Sequence, residues 1–274
     1  MLGRCKTVLQ SDKLKFENGK SYCLVVHNIE YGKHILKDFV GGKLGSELII
    51  EPENNIGIDE IRQAIEFLEF KSDEEKKLVV IYEADKMTQE AANAFLKTLE
   101  EPPSYGVIVL VTSRYASLLP TIKSRVQKIS VEFPKLPDGL NDFENHLVFW
   151  NYSYLERILN HDYTILSAEE LQDEEVDELN VIFTLKELLN KYKEASFQDY
   201  LKFISKISKI SNFRFLKILS KVVAWYVFQS KNLSQDEKYR YIKICDDIQK
   251  SKLANFNYQL TYYTLLLGLR GDNA

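Results

Sequence analysis

The sequence has too few cysteines, and too widely spaced, to staple a fold. Cys5, Cys23 and Cys245 lie far apart in 274 residues with no C-x-x-C spacing, so neither a disulfide framework nor a zinc ribbon is supported and buried, reduced thiols are expected. Long apolar runs are missing too. The longest uncharged one, VVAWYVF, is far too short to span a bilayer, and MLGRCKTVLQSDKLKF at the N-terminus has no apolar stretch of signal-peptide length. The expected location is therefore cytoplasmic. A basic excess is also absent: 36 Lys and Arg stand against 40 Asp and Glu, a formal charge of -4. That balance argues against coating nucleic acid by bulk electrostatics, although it leaves room for a local basic face. No internal repeat or low-complexity tract occurs.

What is present is ordinary globular material, 45% hydrophobic and 28% charged, long enough for two or three domains. From residue 20 to about 131, short β-rich runs alternate with helical patterns, the signature of parallel α/β layering. The runs SYCLVV, SELII, KLVVIY, GVIVLV and QKISV have the apolar density of strands covered on both faces, which predicts a five-stranded parallel sheet flanked by helices. In IDEIRQAIEFLEF, Ile58, Ile61, Ile65 and Leu68 share one helical face. In MTQEAANAFLKTLEEPP, Thr88 is an N-cap candidate, Ala92, Phe95, Leu96 and Leu99 form the apolar stripe, and Pro102 and Pro103 end the helix.

Pro134, Pro137 and Gly139 mark a linker, after which the pattern is helix upon helix. Residues 169–178, EELQDEEVDE, carry seven carboxylates and read as a solvated connector or helix face. The expected division is an α/β domain over 1–134, a small and reduced helical domain over 135–178, and a helical bundle over 179–274. In the bundle, Lys202, Lys206 and Lys209 line one side of a helix, which reads first as a solvated face.

Three segments bear on chemistry. VVHNIEYGKHIL runs from a strand into Gly32-Lys33 as phosphate loops do, but His27 stands where GxxxxGK[ST] has its first glycine, His34 takes the hydroxyl position, and Glu30 would repel a phosphate. A bare Gly-Lys pair is common and also reads as an ordinary turn before a helix. In KLVVIYEADKM, Tyr82 occupies the place of the magnesium-holding Asp of nucleotide hydrolases, with Glu83 and Asp85 following. A phenol that stays protonated is a poor magnesium ligand, so these carboxylates read as solvating a strand end. In VTSRYASLLPTIKSRVQKISVEF, Thr112 and Ser113 end a strand, and a short helix begins near Pro120 and ends at Ser124-Arg125. An arginine on a short rigid element at a domain edge suits a neighbour's phosphates, although such a residue is also commonly just a surface or helix-dipole partner.

Together, IIEPENNIGIDEIRQAIEFL, VVIYEADKMTQEAANAFLKTLEEPP and LVTSRYASLLPTIKSRVQKI resemble the N-terminal AAA+ domain of the bacterial replicative clamp-loader family, over about residues 20–132. The tail ICDDIQKSKLANFNYQLTYYTLLLGL resembles that family's collar bundle more loosely. The resemblance, nearest to the delta-prime type, implies an AAA+ domain with a degenerate nucleotide site, a small lid domain and an oligomerising collar. It implies no intrinsic ATPase activity, no cofactor, gamma/tau and delta subunits as partners, and contact with the sliding clamp and primer-template DNA through the assembled complex. It makes Arg125, with Ser124, an arginine finger acting in trans, since Ser124, Arg125 and Val126 match the family's Ser-Arg-Cys motif except at its last residue. It leaves Gly32, Lys33, Glu83, Asp85 and Thr112 as remnants of a nucleotide pocket. The four-cysteine zinc module common in the family has no counterpart after Lys33, so no metal is expected. Two other readings remain: a divergent gamma-type ATPase that still binds ATP through Gly32 and Lys33, and an AAA-like scaffold outside the replisome.

Overall fold

The computed structural model describes residues 6–8, 14–37, 46–70, 76–251 and 257–269. They form two compact units, Met1–Leu155 and Glu156–Ala274. The first contains six parallel strands: β1 (Lys6–Val8), β2 (Lys20–Val25), β3 (Ser46–Ile50), β4 (Lys77–Ile81), β5 (Gly106–Thr112) and β6 (Gln127–Val131), in the order β1-β6-β2-β5-β4-β3. The five expected runs are all strands. The sixth, β1, pairs with β6 at the sheet edge and is too short to have shown a pattern.

Successive side chains of a strand point to opposite faces, and the central strands are apolar at both. Tyr22, Leu24, Leu78, Val80, Val107, Val109 and Val111 pack on the side of helix α1 (Ile29–Leu36), with its Tyr31, Ile35 and Leu36. Cys23, Val79, Ile81, Ile108 and Leu110 pack on the other side, beneath α2 (Ile58–Glu69), α3 (Gln89–Glu100) and α4 (Pro120–Lys123). Each fully buried Leu, Ile or Phe here is worth about 1.5–3 kcal/mol of transfer free energy.

Local chemistry sets the helix ends. Thr88 caps α3, its Oγ1 accepting from the Ala91 amide at 3.2 Å, and Ala92, Phe95 and Leu99 are buried while Leu96 is only partly so. At the far end of α2, the Lys77 ammonium, on a residue only 6% exposed, donates to the Phe67 carbonyl at 2.6 Å and to that of Phe70. It thereby satisfies carbonyls that the helix itself leaves open.

Helix α5 (Asp142–Trp150) follows the Pro134–Gly139 segment and groups with the sheet unit, and α6 (Tyr154–Leu159) carries the chain across the division. The second unit is helical: α7 (Glu178–Lys193), α8 (Phe197–Ile207), α9 (Phe213–Gln229), α10 (Gln235–Lys250) and α11 (Tyr258–Leu267). Fully buried Tyr200 and Tyr262 donate their hydroxyls to the carbonyls of Leu266 at 2.6 Å and Ile210 at 2.8 Å, tying α11 to the α8 region. The acidic connector is mostly exposed, with two anchors: Leu171 is buried, and Asp177 caps α7 while pairing with Arg157 at 2.9 Å. Lys202, Lys206 and Lys209 are exposed, Lys209 lying beyond the end of α8. Cys23 and Cys245 are free and buried; Cys5 lies outside the described residues.

Candidate functional site

The C-terminal ends of β2, β4 and β5 are where an open α/β sheet presents ligand-binding groups. After β2 only Val26, His27 and Asn28 precede α1. Asn28 caps the helix, its Oδ1 accepting from the Tyr31 amide at 2.7 Å. The helix thus begins before the Gly-Lys pair, placing Gly32 and Lys33 inside α1 rather than in a turn ahead of it. The Tyr31 and Gly32 amides, at the position of the loop's last turn, are taken by the Asn28 side chain and carbonyl. Gly32 is buried against the sheet, where an added Cβ would meet Val111 Cγ1 at 2.9 Å.

Aromatic rings cover this loop. His27 lies 3.5 Å, centroid to centroid, from Phe149 of α5, and Phe133 contacts both rings. Tyr152 contacts Tyr31, His34 and Phe133, and the Asn28 amide donates to the Phe149 carbonyl at 3.0 Å. Burial holds His27 below the ordinary histidine value, against a hydrogen bond to the Phe149 backbone that works the other way. Its neutral ring therefore suits the aromatic cluster.

The Lys33 ammonium is already occupied. It lies 2.8 Å from Glu51 and 3.1 Å from Glu30, and 5.7 Å from the centre of the Tyr82 ring. Partial burial works to lower its pKa, and the two carboxylates outweigh that and raise it.

Beyond β4, Tyr82 is 4% exposed, and burial, with Glu51, Glu30 and Glu47 nearby, pushes its phenol up to about 12. A phenol that stays protonated near neutral pH is a poor magnesium ligand. Glu83 adopts a left-handed backbone, φ 49°, and its carboxylate is 2.6 Å from Lys86. The Asp85 side chain is only 3% exposed: Oδ1 accepts from the buried Thr112 hydroxyl at 2.5 Å, and Oδ2 lies 2.7 Å from the Arg114 guanidinium. Thr112 Oγ1 in turn accepts from the Arg114 amide at 2.9 Å. Asp85, Thr112 and Arg114 thus form a polar lock across the ends of β4 and β5, in which Asp85 Oδ1 is hydrogen-bonded while buried Oδ2 has, among the described residues, only the ion pair with Arg114 and no hydrogen bond. Among the described residues no group of three or more His, Cys, Asp or Glu is arranged to hold a metal ion.

Arg125 lies elsewhere, just after α4. Pro120 pre-sets the first turn of that helix, Ser124 is its C-cap, and buried Ile122 fixes it against the sheet face under α3. The Arg125 Nε donates to Glu100 at 2.8 Å, and Nη1 donates to the Thr121 carbonyl at 3.1 Å and the Ser124 hydroxyl at 3.2 Å. Nη2 has no partner among the described residues, and the side chain is 30% exposed.

The residues singled out from the sequence therefore separate. Gly32 and Lys33 belong to one helix, Asp85 and Thr112 to the lock, Glu83 to a local ion pair, and Ser124 and Arg125 to the α4 corner; no bond or ion pair among the described residues joins Arg125 to the others. Sequence reasoning missed Glu100, Glu51, Arg114 and the aromatic cover. Glu100 stood in the quoted TLEEPP, but nothing in its spacing pointed to Arg125.

Two family models match the chain. One, described as DNA polymerase III, delta subunit, covers residues 9–135, and the other, DNA polymerase III gamma subunit-related, C-terminal domain, covers residues 188–271. The chain is 27% identical to the DNA polymerase III subunit delta' of Buchnera aphidicola over 80% of its own length and 63% of that protein's. It is 35% identical to the subunit delta' of Bacillus subtilis over 48% of its length and 40% of that protein's. The chain thus spans less than two thirds of the length of these curated relatives. The crystal structure of a DNA polymerase III gamma subunit-related protein from Thermotoga maritima superposes with a TM-score of 0.68 at 26% identity, covering 95% of this chain and 96% of that one.

Proposed function

The chain belongs to the family of delta-prime and gamma-type subunits of DNA polymerase III, and from that premise we propose that it is a non-catalytic subunit of the sliding-clamp loader. It assembles with gamma/tau and delta subunits and offers Arg125 in trans to ATP held by a neighbour. It meets the clamp and primer-template DNA through the assembled complex, in the cytoplasm. The observation that carries this reading is the contrast between its two corners. At the nucleotide position the Gly-Lys pair lies inside α1, the lysine is paired with Glu30 and Glu51, and aromatic rings pack on the preceding His27. At the α4 corner an arginine is held rigidly with one guanidinium nitrogen left over.

A guanidinium reaching transferring phosphates stabilises the charge that spreads over their oxygens, an effect worth about a thousandfold or more in rate. The Val126 that replaces the motif's cysteine is a partly buried neighbour of the α2–α3 core and leaves the guanidinium's hydrogen bonds in place. The division into a lid over 135–178 and a collar over 179–274 is part of the same proposal. In the reconstituted complex, Arg125→Ala is expected to reduce DNA-stimulated ATPase turnover at least tenfold without disturbing assembly. An unchanged rate would remove the finger role. If a pull-down with this chain failed to recover delta or gamma/tau subunits, the scaffold reading would stand instead.

A further inference from the structure

Glu100 closes α3, a helix locked by Phe95 and Leu99, which are at most 1% exposed, and stopped by Glu101-Pro102-Pro103. Its carboxylate accepts from Arg125 Nε at 2.8 Å, while the Thr121 carbonyl and the Ser124 hydroxyl accept from Nη1 at 3.1 and 3.2 Å. A guanidinium is a rigid plane, so holding Nε and Nη1 also fixes the direction of Nη2, the nitrogen without a partner among the described residues.

The arrangement invests little in folding. The carboxylate is 59% exposed and the arginine side chain 30%, and ion pairs this open contribute little to stability. What it supplies is direction. A four-bond side chain otherwise samples many rotamers, and catalysis by a charged group depends on its being in place before the reaction begins.

We infer that Glu100 is a positioning residue, which holds the Arg125 guanidinium with Nη2 presented for a phosphate bound by an adjacent subunit. This deepens the reading of Arg125 given above and rests on it. Ser124 shares the task through Nη1, but Glu100 alone engages Nε and alone stands on a separate helix, so it sets the plane.

The test uses the full chain reconstituted with its partner subunits and primed DNA, comparing Glu100→Ala, Glu100→Gln, Arg125→Ala and the Glu100→Ala/Arg125→Ala double variant. Glu100→Ala is expected to lower kcat about tenfold at unchanged KM for ATP. Glu100→Gln is expected to keep most of the rate, since its amide oxygen still accepts from Nε. In the Arg125→Ala background, Glu100→Ala should add nothing, because it acts only through that arginine. Thermal midpoints of all four should match the wild type. A wild-type or faster kcat for Glu100→Ala, beside a slow Arg125→Ala, would overturn the positioning role and leave the finger standing. An equal further loss in the double variant would likewise overturn it, by showing that Glu100 acts without Arg125. Wild-type turnover in Arg125→Ala would sink the finger and the positioning role together.

Discussion

Lys33 Nζ lies 2.8 Å from Glu51 Oε2, so the one cation that a phosphate loop would aim at nucleotide is already engaged by a carboxylate from the residue following β3. Glu30, a turn earlier on α1, adds a second at 3.1 Å. A triphosphate arriving here would meet two carboxylates competing for a single ammonium. The pair is exposed and contributes little to stability; its consequence lies in binding.

Gly32 follows the same logic. Its place in the fold is explained by packing, because an added Cβ would sit 2.9 Å from Val111 Cγ1, a branched side chain of the central strand with no room to withdraw. Gly32→Ala gains about 0.5–1 kcal/mol of helix propensity and loses about 1–3 kcal/mol to overpacking. A net loss of about 1 kcal/mol in urea denaturation is expected. A stabilised variant would show that the contact between α1 and β5 is looser than described.

The Asp85 carboxylate is buried against Thr112 and paired with Arg114, so its variants are expected to behave as changes to a structural group. Asp85→Asn keeps an acceptor for the Thr112 hydroxyl and is expected to cost less than about 1 kcal/mol, because Arg114 is largely exposed. Asp85→Ala strands the buried hydroxyl and is expected to cost about 1–3 kcal/mol. Magnesium titration should change neither result; selective stabilisation of the wild type by magnesium would restore Asp85 as a metal ligand.

Acidification should weaken the sheet unit in a defined window. His27 and His146 are both held below the ordinary histidine value of 6.5, chiefly by burial, so the unfolded chain binds protons first as the pH falls. Their contribution is fully present above pH 6.5 and is lost as the pH falls through the lowered folded values. Asp177 acts in a separate, more acidic window: burial opposes it, but Arg157 and backbone amides hold it below 3.8. The urea midpoint is expected to fall between pH 7.5 and 5.5, and His27→Phe/His146→Phe to flatten that fall while preserving ring contacts. An equally steep fall in the double variant would assign the dependence to other groups.

The sheet and its helices were legible because their signals are local. Apolar runs mark strands buried on both faces, Thr88 caps a helix three residues before the amide it satisfies, and prolines stop α3. The losses at His27, His34 and Tyr82 were legible as residue identities. The contacts that surround these positions were not, because no short-range pattern encodes them. Phe149 reaches His27 across more than a hundred residues, Glu100 meets Arg125 from another helix, and Glu51 meets Lys33 from just beyond β3. The start of α1 was misplaced for a related reason. Asn28 caps the helix ahead of the Gly-Lys pair, and a search for a phosphate loop looks past that cap.

On the proposed reading, this chain holds no nucleotide of its own and contributes chemistry only to a neighbour. Equilibrium binding of fluorescently labelled ATP, with magnesium, to the isolated chain tests it most directly. No saturable binding at micromolar concentrations is expected, and no difference between the wild type and Lys33→Ala. Micromolar affinity that disappears in Lys33→Ala would contradict it and identify a working ATP site.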